Sequence, residues 1–273
     1  MDIKMSIDNL TVCGNAFGDI ESYYAEEVAV DRRSFSKYPY RDMIHHQDGS
    51  VLQIGEINAV RSGKIKELRY EFNPNKKTYE KLHTKVLRLM KDAHFTRVDI
   101  AFDVYGVDMS NWKWVDSQSR PFLVYHGGGG QIETWYVGGK DSEIRIRIYN
   151  KALEQGDKRK TPWWRVEVQL RRSAANIFTA YKGQIGINPF EHVTPVLQGE
   201  FLELDIKKRA MLKYLIDHPE GFKELSKPSR IEYKRLLRMA GSWETIDFRK
   251  LWDEKIPEVQ SEIQSWLNYP MKY

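Results

Sequence analysis

The sequence has very little cysteine: Cys13 is the single thiol among 273 residues. One thiol can form neither an internal disulfide nor a metal–thiolate cluster, so the chain is excluded from the disulfide-stabilised classes and from the cysteine-rich metal classes. Such cysteine usage is typical of a reducing compartment. We therefore expect a cytoplasmic protein with a core made of ordinary apolar side chains.

Long hydrophobic runs are missing as well. No apolar run approaches the roughly 20 residues that span a bilayer, and the first residues lack the pattern of a signal peptide. We therefore predict no membrane association. The chain is long enough for one large domain or for a domain with a smaller appendage. Its 43 Lys and Arg against 38 Asp and Glu give a net charge of +5, which favours an acidic partner.

One stretch alternates apolar and polar residues without a break, from Glu143 to Lys151. A strand with this pattern places its isoleucines on one face and its polar side chains on the other. The polar face would then carry Arg145, Arg147, Tyr149 and Lys151. A phenol among three cations suits an encounter with a phosphodiester. The alternative is a half-buried strand with a solvated basic face.

Two further segments alternate in the same way but have carboxylates on the polar side. These faces would carry Arg97, Asp99, Ala101 and Asp103 in one segment, and Arg165, Glu167, Gln169 and Arg171 in the other. If both strands neighbour the tyrosine strand, Asp99, Asp103 and Glu167 form a cluster beside Tyr149. Carboxylate oxygens suit Mg²⁺ or Mn²⁺, which can polarise a phosphoryl oxygen. The alternative is structural arginine–carboxylate pairing, at a few tenths to about 1 kcal/mol per pair.

Four segments in chain order carry a family resemblance: LRYEFNPNKKTYEKL, TRVDIAFDVYG, TWYVGGKDSEIRIRIYNKALEQG and WWRVEVQLRR. The region from the start to about residue 195 resembles the Rep_trans family of rolling-circle plasmid replication initiators and related conjugative-element relaxases. The resemblance implies that Tyr149 nicks one DNA strand at the double-strand origin and becomes joined to the 5′ phosphate. It also implies that Asp99 and Glu167 hold a divalent metal. Asp103 is predicted as a further metal ligand because it lies on the same strand face as Asp99, and not because it matches a family motif.

The chemistry of a tyrosine nucleophile fits these neighbours. Its pKa is near about 10, so a cationic surround or a metal must favour the phenolate as it attacks. Arg145, Arg147 and Lys151 can supply the cations and bind the phosphate. Many nicking enzymes hold their metal with a His-hydrophobic-His triplet, which this sequence lacks. We interpret all seven histidines as structural or surface residues.

The resemblance also implies partners. Plasmid origin DNA is the expected substrate, single-stranded at the nick with duplex or cruciform flanks, and a superfamily 1 helicase is the expected partner. We expect a homodimer, because nicking and termination need two strand transfers and the tyrosine strand presents one obvious nucleophile. A conjugative relaxase would use the same active site, and a noncatalytic DNA-binding regulator would use the same scaffold. Both alternatives stay open.

The sequence pattern predicts an α+β fold with an internal repeat, in which the first hundred residues resemble the second hundred. MSIDNLTV resembles TRVDIAFDV, and LRYEFNP resembles WRVEVQL; helices are predicted to follow at about 76–91 and 172–181. We expect a nicking domain over 1–199 with two pseudo-repeated antiparallel β-sheet lobes, 1–95 and 96–199. Asp8 and Glu71 would be structural relics of Asp99 and Glu167. A helical C-terminal region follows over 200–273, with helices near 202–217, 229–240 and 243–268.

Further DNA contacts are predicted outside the tyrosine strand. The basic cluster is Lys158, Arg159 and Lys160; the aromatic pair is Trp163 and Trp164; the basic helical residues are Arg230, Lys234, Arg235 and Arg238. The first set would touch phosphates, the second would stack on unpaired bases, and the third would meet duplex DNA. The alternatives are a solvated loop, a core tryptophan in place of one stacking residue, and a helix that packs Ile231, Leu236 and Leu237 on the body.

Overall fold

The computed structural model describes residues 1–273 except 18–19, 21–22, 24–31, 36–37, 131, 158–160, 181–182, 184, 198–200, 202 and 269–273. The chain divides into two compact units. The tyrosine unit comprises Met1–Lys4, Phe102–Val168 and Gly186–Ile256, and the companion unit comprises Met5–Ala101, Gln169–Ile185 and Pro257–Tyr273. Each unit is therefore assembled from three separate stretches.

The tyrosine unit combines strands with most of the C-terminal helices. Its strands are β7 (Trp112–Asp116), β8 (Phe122–His126), β9 (Ile132–Val137), β10 (Ile144–Asn150) and β12 (Val193–Leu197), with most of β11 (Trp163–Arg171) and the end of β6 (Met90–Tyr105). The order β6-β11-β10-β9-β8 forms a sheet, and β12 pairs with β7 separately. Its helices are α3 (Lys151–Glu154), α5 (Ile206–Asp217), a 3₁₀ helix (Pro219–Lys223), α6 (Lys227–Glu244) and most of α7 (Phe248–Ser265).

Strand β10 forms where the alternation predicts it, and a tight turn joins it to β9. The antiparallel register pairs Ile146 with Val137 and Tyr149 with Thr134. Gly138 closes the turn at a φ of +95°, and a Cβ there would lie 2.7 Å from the Ile144 carbonyl oxygen. Only glycine satisfies both conditions. The strand pairing that follows this turn places Thr134 of β9 beside Tyr149.

The C-terminal helices of the tyrosine unit begin at conventional caps and share one core. The side chain of Asp205 accepts from the first backbone N–H groups of α5, and Ser226 does the same for α6. The shared core consists of Val115, Val196, Leu212, Leu215, Phe222, Leu236 and Leu237. The packing that the alternative gave to Leu236 and Leu237 is therefore present. The same alternative is wrong for Ile231, because its side chain is 61% exposed.

The companion unit is built mainly from the first hundred residues. Its strands are β2 (Arg32–Phe35), β3 (Tyr40–His45), β4 (Val51–Gly55) and β5 (Leu68–Phe72), with most of β1 (Asp2–Ala16) and β6 and the end of β11. They follow the order β2-β3-β4-β5-β1-β6, with antiparallel pairing from β2 to β1. Its helices are α1 (Ile57–Arg61), a 3₁₀ helix (Lys77–Tyr79), α2 (Glu80–Leu87), α4 (Ser173–Ala180) and the end of α7.

The α+β prediction and the antiparallel sheet are confirmed. A helix follows each of the two Arg-x-Glu strands, as predicted, although α2 ends at Leu87 because β6 begins at Met90. The compact units do not coincide with the predicted segments 1–95, 96–199 and 200–273, and the internal repeat stays a prediction. Over the described residues, the structure has no helix that is long and apolar enough to cross a membrane.

Candidate functional site

Tyr149 lies at the end of β10, between β9 and β11 in the sheet of the tyrosine unit. Ile146 and Ile148 are fully buried on the apolar face, in agreement with the predicted strand phase. Tyr149 itself is only 3% exposed. The predicted nucleophile is therefore covered, and a DNA strand can reach its oxygen only if neighbouring side chains move.

The predicted cations surround two tyrosine rings. The Arg147 guanidinium carbon lies 3.9 Å from the centroid of the Tyr149 ring, and the Lys151 ammonium lies 5.5 Å from the same centroid. Arg145 stacks instead on Tyr136 of β9, at 3.9 Å. Both stackings are cation–π contacts with the ring face. The structure thus brings Arg147 and Lys151 to Tyr149, the predicted nucleophile, and Arg145 to the neighbouring Tyr136.

Lys151 reaches Tyr149 from a helix rather than from the strand. The alternation ends at Asn150, because the Asn150 side chain accepts a hydrogen bond from the Leu153 backbone N–H and starts the one-turn helix α3. Lys151 is the first residue of that helix. Its predicted position on the strand face is therefore wrong, although its contact with the Tyr149 ring is present.

Two carboxylates lie beside the tyrosine and its cations. Glu167 of β11 is 3.7 Å from a terminal nitrogen of Arg147. Glu154 of α3 is 3.8 Å from the other terminal nitrogen of Arg147 and forms a short ion pair with Lys151. Burial disfavours the charged form of Glu154, but the hydrogen bonds from its neighbours and the charges of Lys151 and Arg147 hold its pKa below the usual value. Glu154 therefore stays ionised near neutral pH.

The surroundings of Tyr149 oppose ionisation of the phenol. Burial is the largest cause that raises the pKa of Tyr149 above its ordinary value, and the charges of Glu167 and Glu154 raise it further. Arg165 and Arg147 oppose this effect only in part. The phenol is therefore protonated near pH 7. A nucleophilic role requires an acceptor for its proton, an added positive charge, or both.

The other two predicted metal ligands are held by arginines. Both oxygens of Asp103 accept hydrogen bonds from Arg165 at 2.8 Å, and one also accepts from the Trp163 indole N–H at 2.8 Å. Asp99 belongs to the companion unit, where Arg97 binds both of its oxygens at 2.9 and 2.5 Å. Bidentate guanidinium binding occupies the positions a cation would use. Both carboxylates thus have the structural pairing that the sequence left as an alternative.

The donor set, as arranged, does not fit a bound metal. Across the part of the chain that the structure describes, no group of three His, Cys, Asp or Glu side chains could hold a metal ion. Glu167, too, faces a guanidinium. The requirement for Mg²⁺ or Mn²⁺ stays a prediction, and no step below is routed through an ion.

Sequence reasoning missed three residues near the tyrosine: Tyr136, Glu154 and Arg165. Tyr136 stacks with Arg145 and lies directly opposite Arg147 in the β9–β10 register. The sequence predicted the hairpin, but a turn of this length does not fix the register by itself. The alternation that places Arg165 on the strand face of Glu167 was a signal that Arg165 lies near the tyrosine. The sequence held no such signal for Glu154, because the position of Glu154 depends on where β10 ends.

The predicted aromatic pair divides between surface and core. Trp164 is 1% exposed and packs on Trp135, so it is the core member and cannot stack on a base in this arrangement. Trp163 is half-buried, stacks on Tyr105 at 5.4 Å and donates its N–H to Asp103. The predicted basic cluster Lys158, Arg159 and Lys160 lies outside the described residues.

The predicted basic residues of α6 have different roles. Arg230 donates to the carbonyl oxygens of Phe222, Lys223 and Leu225 and so holds the turn before its own helix. Arg238 lies 3.9 Å from Glu191, and burial lowers the pKa of Lys234 below its usual value, assisted by Arg230 and Arg238. Arg235 is exposed. DNA contact by this helix stays a prediction.

Known proteins share the sequence around the site. The model of the Rep_trans family, described as replication initiation factor, matches residues 108–182, which include Tyr149 and Glu167. A replication initiation protein of Staphylococcus aureus is 30% identical over 281 aligned residues, covering 96% of this chain and 84% of that protein. Another from the same organism is 29% identical over 211 residues, and this chain spans 64% of its length.

A solved structure, that of a rolling circle replication initiator protein from Geobacillus stearothermophilus, matches with a TM-score of 0.49 and 17% identity. The match covers 79% of this chain and 96% of that one. The family model covers the last two of the four sequence segments, and the relative that is 30% identical over 96% of this chain confirms the family resemblance. This chain belongs to the Rep_trans family of replication initiation factors.

Proposed function

We propose that this protein starts rolling-circle replication of a plasmid by nicking one origin strand with Tyr149. One observation carries the proposal: the Arg147 guanidinium lies 3.9 Å from the Tyr149 ring and 3.7 Å from the Glu167 carboxylate. A phenol, a cation that can bind phosphate and a carboxylate that can accept a proton are therefore adjacent. A proton acceptor and a cation beside the phenol both favour the attack of a tyrosine on phosphorus.

In the proposed step, the Tyr149 oxygen attacks the phosphorus of the scissile phosphodiester. The bond between phosphorus and the tyrosine oxygen forms, and the bond between phosphorus and O3′ breaks. The phenol proton passes to Glu167 and then to O3′, which leaves as a hydroxyl. Glu167 is the proposed carrier because its charge is the largest electrostatic influence on the phenol after burial. One phosphodiester replaces another, so the reverse reaction can rejoin the strand without ATP.

Unpaired donors support phosphate binding at this place. The Nε atoms of Arg145 and Arg147 are buried, and within the described part of the chain neither has a hydrogen-bond acceptor. A buried donor without a partner costs about 1–3 kcal/mol, so native proteins rarely keep one without a reason. Non-bridging phosphate oxygens are strong acceptors for guanidinium groups. A bound phosphodiester would supply a hydrogen-bond acceptor for the Nε atoms of both arginines.

Glu154 has the position of a competitor for the same phosphate. Its carboxylate contacts both Arg147 and Lys151, which are the cations proposed to bind DNA. We expect the incoming phosphodiester to displace Glu154 and take over both contacts. Because α3 is a single turn that begins two residues after Tyr149, we expect a shift of this helix to uncover the phenol as well.

The remaining parts of the proposal come from the family. Origin DNA as the substrate, a homodimer that shares the two strand transfers, and a superfamily 1 helicase as partner are proposed on that basis. A requirement for Mg²⁺ or Mn²⁺ is proposed on the same basis, and it is tested by nicking in the presence of EDTA and after each ion is added back.

The proposal is tested on a supercoiled plasmid that carries the protein's own origin. The native protein should convert it to the nicked form, and Tyr149→Phe should lower the rate by about 10⁴-fold or more, because the variant has no nucleophilic oxygen. Tyr214→Phe is the matched control, since this half-exposed tyrosine lies on α5. It should nick like the native protein.

Two results would overturn the proposal. Nicking by Tyr149→Phe at the native rate would exclude Tyr149 as the nucleophile. Origin binding by the native protein without any nicking, with Mg²⁺ or Mn²⁺ supplied, would favour a noncatalytic DNA-binding regulator.

A further inference from the structure

The companion unit has an open cleft of about 860 Å³ that the proposed reaction does not use. Strands β1, β3, β5 and β6 supply its floor, and the loop after α1 supplies one wall. The residues that line it are Cys13, Asn15, Tyr40, Val60, Gly63, Lys64, Ile65, Lys66, Arg69, His94, Thr96 and Arg172. A cleft of this size suits a ligand of several rings or linked groups.

The cleft is positively charged. Four of its lining side chains are permanent cations, namely Lys64, Lys66, Arg69 and Arg172, and no carboxylate occurs among the described residues that line it. Low-dielectric walls around charges of one sign concentrate the field and attract the opposite charge. The ligand that fits this cleft is therefore an anion.

Two polar groups of the floor, Cys13 and Tyr40, add no charge of their own. Burial raises the pKa of the Cys13 thiol, and burial is also the main cause that raises the pKa of Tyr40 to about 12. Both groups therefore stay neutral near pH 7. Arg69 is held in place by hydrogen bonds to Gln53 at 2.5 Å and to Glu71 at 2.8 Å. These bonds fix the guanidinium at the base of the cleft, and the Glu71 carboxylate offsets part of its charge.

An exposed aromatic ring stands beside the basic wall. Tyr38 is 66% exposed, its hydroxyl lies 3.4 Å from the Lys64 ammonium, and the ammonium lies 5.9 Å from the ring centroid. The ring and the cation thus form one surface. Aromatic rings next to a basic groove are the usual platform for unpaired bases, whereas the bases of a duplex are stacked inside it and cannot use such a platform.

We propose that this cleft binds single-stranded DNA, with Lys64, Lys66, Arg69 and Arg172 on its phosphates and Tyr38 stacked on a base. The inference rests on the proposed function in one respect: nicking and strand displacement at an origin produce the single strand that the cleft takes. Binding in the cleft does not itself require the nick. The cleft would hold the strand while the tyrosine unit carries out the chemistry.

The test measures the binding of fluorescein-labelled oligo(dT) by anisotropy over a series of salt concentrations. All proteins carry Tyr149→Phe, so that no covalent product forms. Lys64→Ala combined with Lys66→Ala should weaken binding about tenfold at low salt. It should also reduce the slope of log K against log salt by about 1.4, at roughly 0.7 for each lost phosphate contact on a single strand.

The matched control is Lys81→Ala combined with Lys85→Ala, which removes the same charge from α2 of the same unit. This control should leave the affinity and the salt slope close to native. Tyr38→Ala should weaken binding about fivefold or more, as expected when one base loses its stacking partner, and Tyr38→Phe should bind like the native protein.

Three results would overturn the inference. The first is that the cleft variant and the control variant bind with equal affinity. The second is that duplex DNA competes as effectively as single-stranded DNA. The third is that inorganic phosphate displaces the oligonucleotide at matched ionic strength. The last result would identify a simple phosphate site.

Nicking by proteins with Tyr149 intact separates this inference from the proposed function. If the native protein forms no nicked product but the cleft variants lose single-strand affinity, the proposed function fails and the cleft inference holds. If nicking occurs and the cleft variants bind like the control, the cleft inference fails alone.

Discussion

The two units carry the same short pattern on a strand in different surroundings. The tyrosine unit has Arg165-Val166-Glu167 on β11, and the companion unit has Arg69-Tyr70-Glu71 on β5. Glu167 faces Arg147 beside Tyr149, and its side chain is 5% exposed. Glu71 is 34% exposed and is bonded to Arg69 at 2.8 Å and to Asn9 at 3.1 Å.

The difference is the reason why we propose a chemical role for Glu167 and none for Glu71. Glu71 contacts two arginines, because Arg97 also lies 3.8 Å away, so its charge belongs to a partly exposed ion-pair network. Glu167 is buried beside a phenol whose ionisation it affects. An Arg-x-Glu pattern therefore predicts a strand with a polar face. The neighbouring strand decides whether that face does chemistry.

The largest expected effect separates the two glutamates. Glu167→Gln keeps the shape but removes the proton acceptor, so we expect nicking of the origin plasmid to slow by about 10²-fold or more. Glu71→Gln should leave the nicking rate within about twofold and lower the free energy of unfolding by at most about 1 kcal/mol, as for a partly exposed ion pair. Single-turnover nicking and urea unfolding measure the two quantities.

Equal nicking by both variants would show that Glu167 is no more than an ion-pair partner of Arg147. A collapse of nicking in Glu71→Gln, with the protein still folded, would show that the companion unit takes part in the chemistry.

A smaller effect is expected at Glu154. Glu154→Gln removes the carboxylate that competes with DNA for Arg147 and Lys151. The rate of nicking at subsaturating DNA should therefore rise about two- to fivefold, which corresponds to roughly 0.5–1 kcal/mol for a partly exposed pair. Glu203→Gln, at an exposed position before α5, makes the same change in net charge and should have no such effect. Slower nicking in Glu154→Gln would instead make Glu154 part of the machinery.

The last expected effect concerns stability rather than nicking and belongs to the companion unit. Burial lowers the pKa of His83 to about 4, and the His46 charge adds to this while the Asp48 charge opposes it. The unfolded chain binds a proton at about 6.5, whereas the folded protein does so only near 4. Stability is therefore lost as the pH falls through this window, by roughly 1–3 kcal/mol.

Urea unfolding at pH 6.5 and at pH 4.5 measures this loss. His83→Gln should reduce the difference between the two pH values. If the free energy of unfolding of His83→Gln differs between the two pH values as much as that of the native protein, His83 is excluded as the source of the loss.

Much of the tyrosine strand could be predicted from the sequence. Strict alternation predicts β10 and its two faces, and Gly138 and Gly139 mark the turn from β9. The end of β10 could not be predicted with the same accuracy, because Asn150 stops the strand by capping α3 and the alternation by itself continues to Lys151. The extra contacts of Arg147 with Glu154 follow from that cap.

The carboxylates show a second limit of the sequence. Strand phase places Asp99 and Asp103 on a polar face, but the pattern contains arginines at the same spacing. Which arginine pairs with which carboxylate depends on the neighbouring strand and its register. Asp103 pairs across strands with Arg165, whereas Asp99 pairs with Arg97 on its own strand. Composition and alternation do not distinguish such pairs from metal ligands.

The central claim is that Tyr149 forms a covalent bond with DNA. The most direct measurement incubates the native protein with a nick-site oligonucleotide that is radiolabelled 3′ to the cleaved bond, followed by a denaturing gel and peptide mapping. The label should migrate with the protein and map to the peptide that contains Tyr149. Labelled DNA that runs free with a 5′ phosphate would mean that water is the nucleophile, and it would contradict the claim.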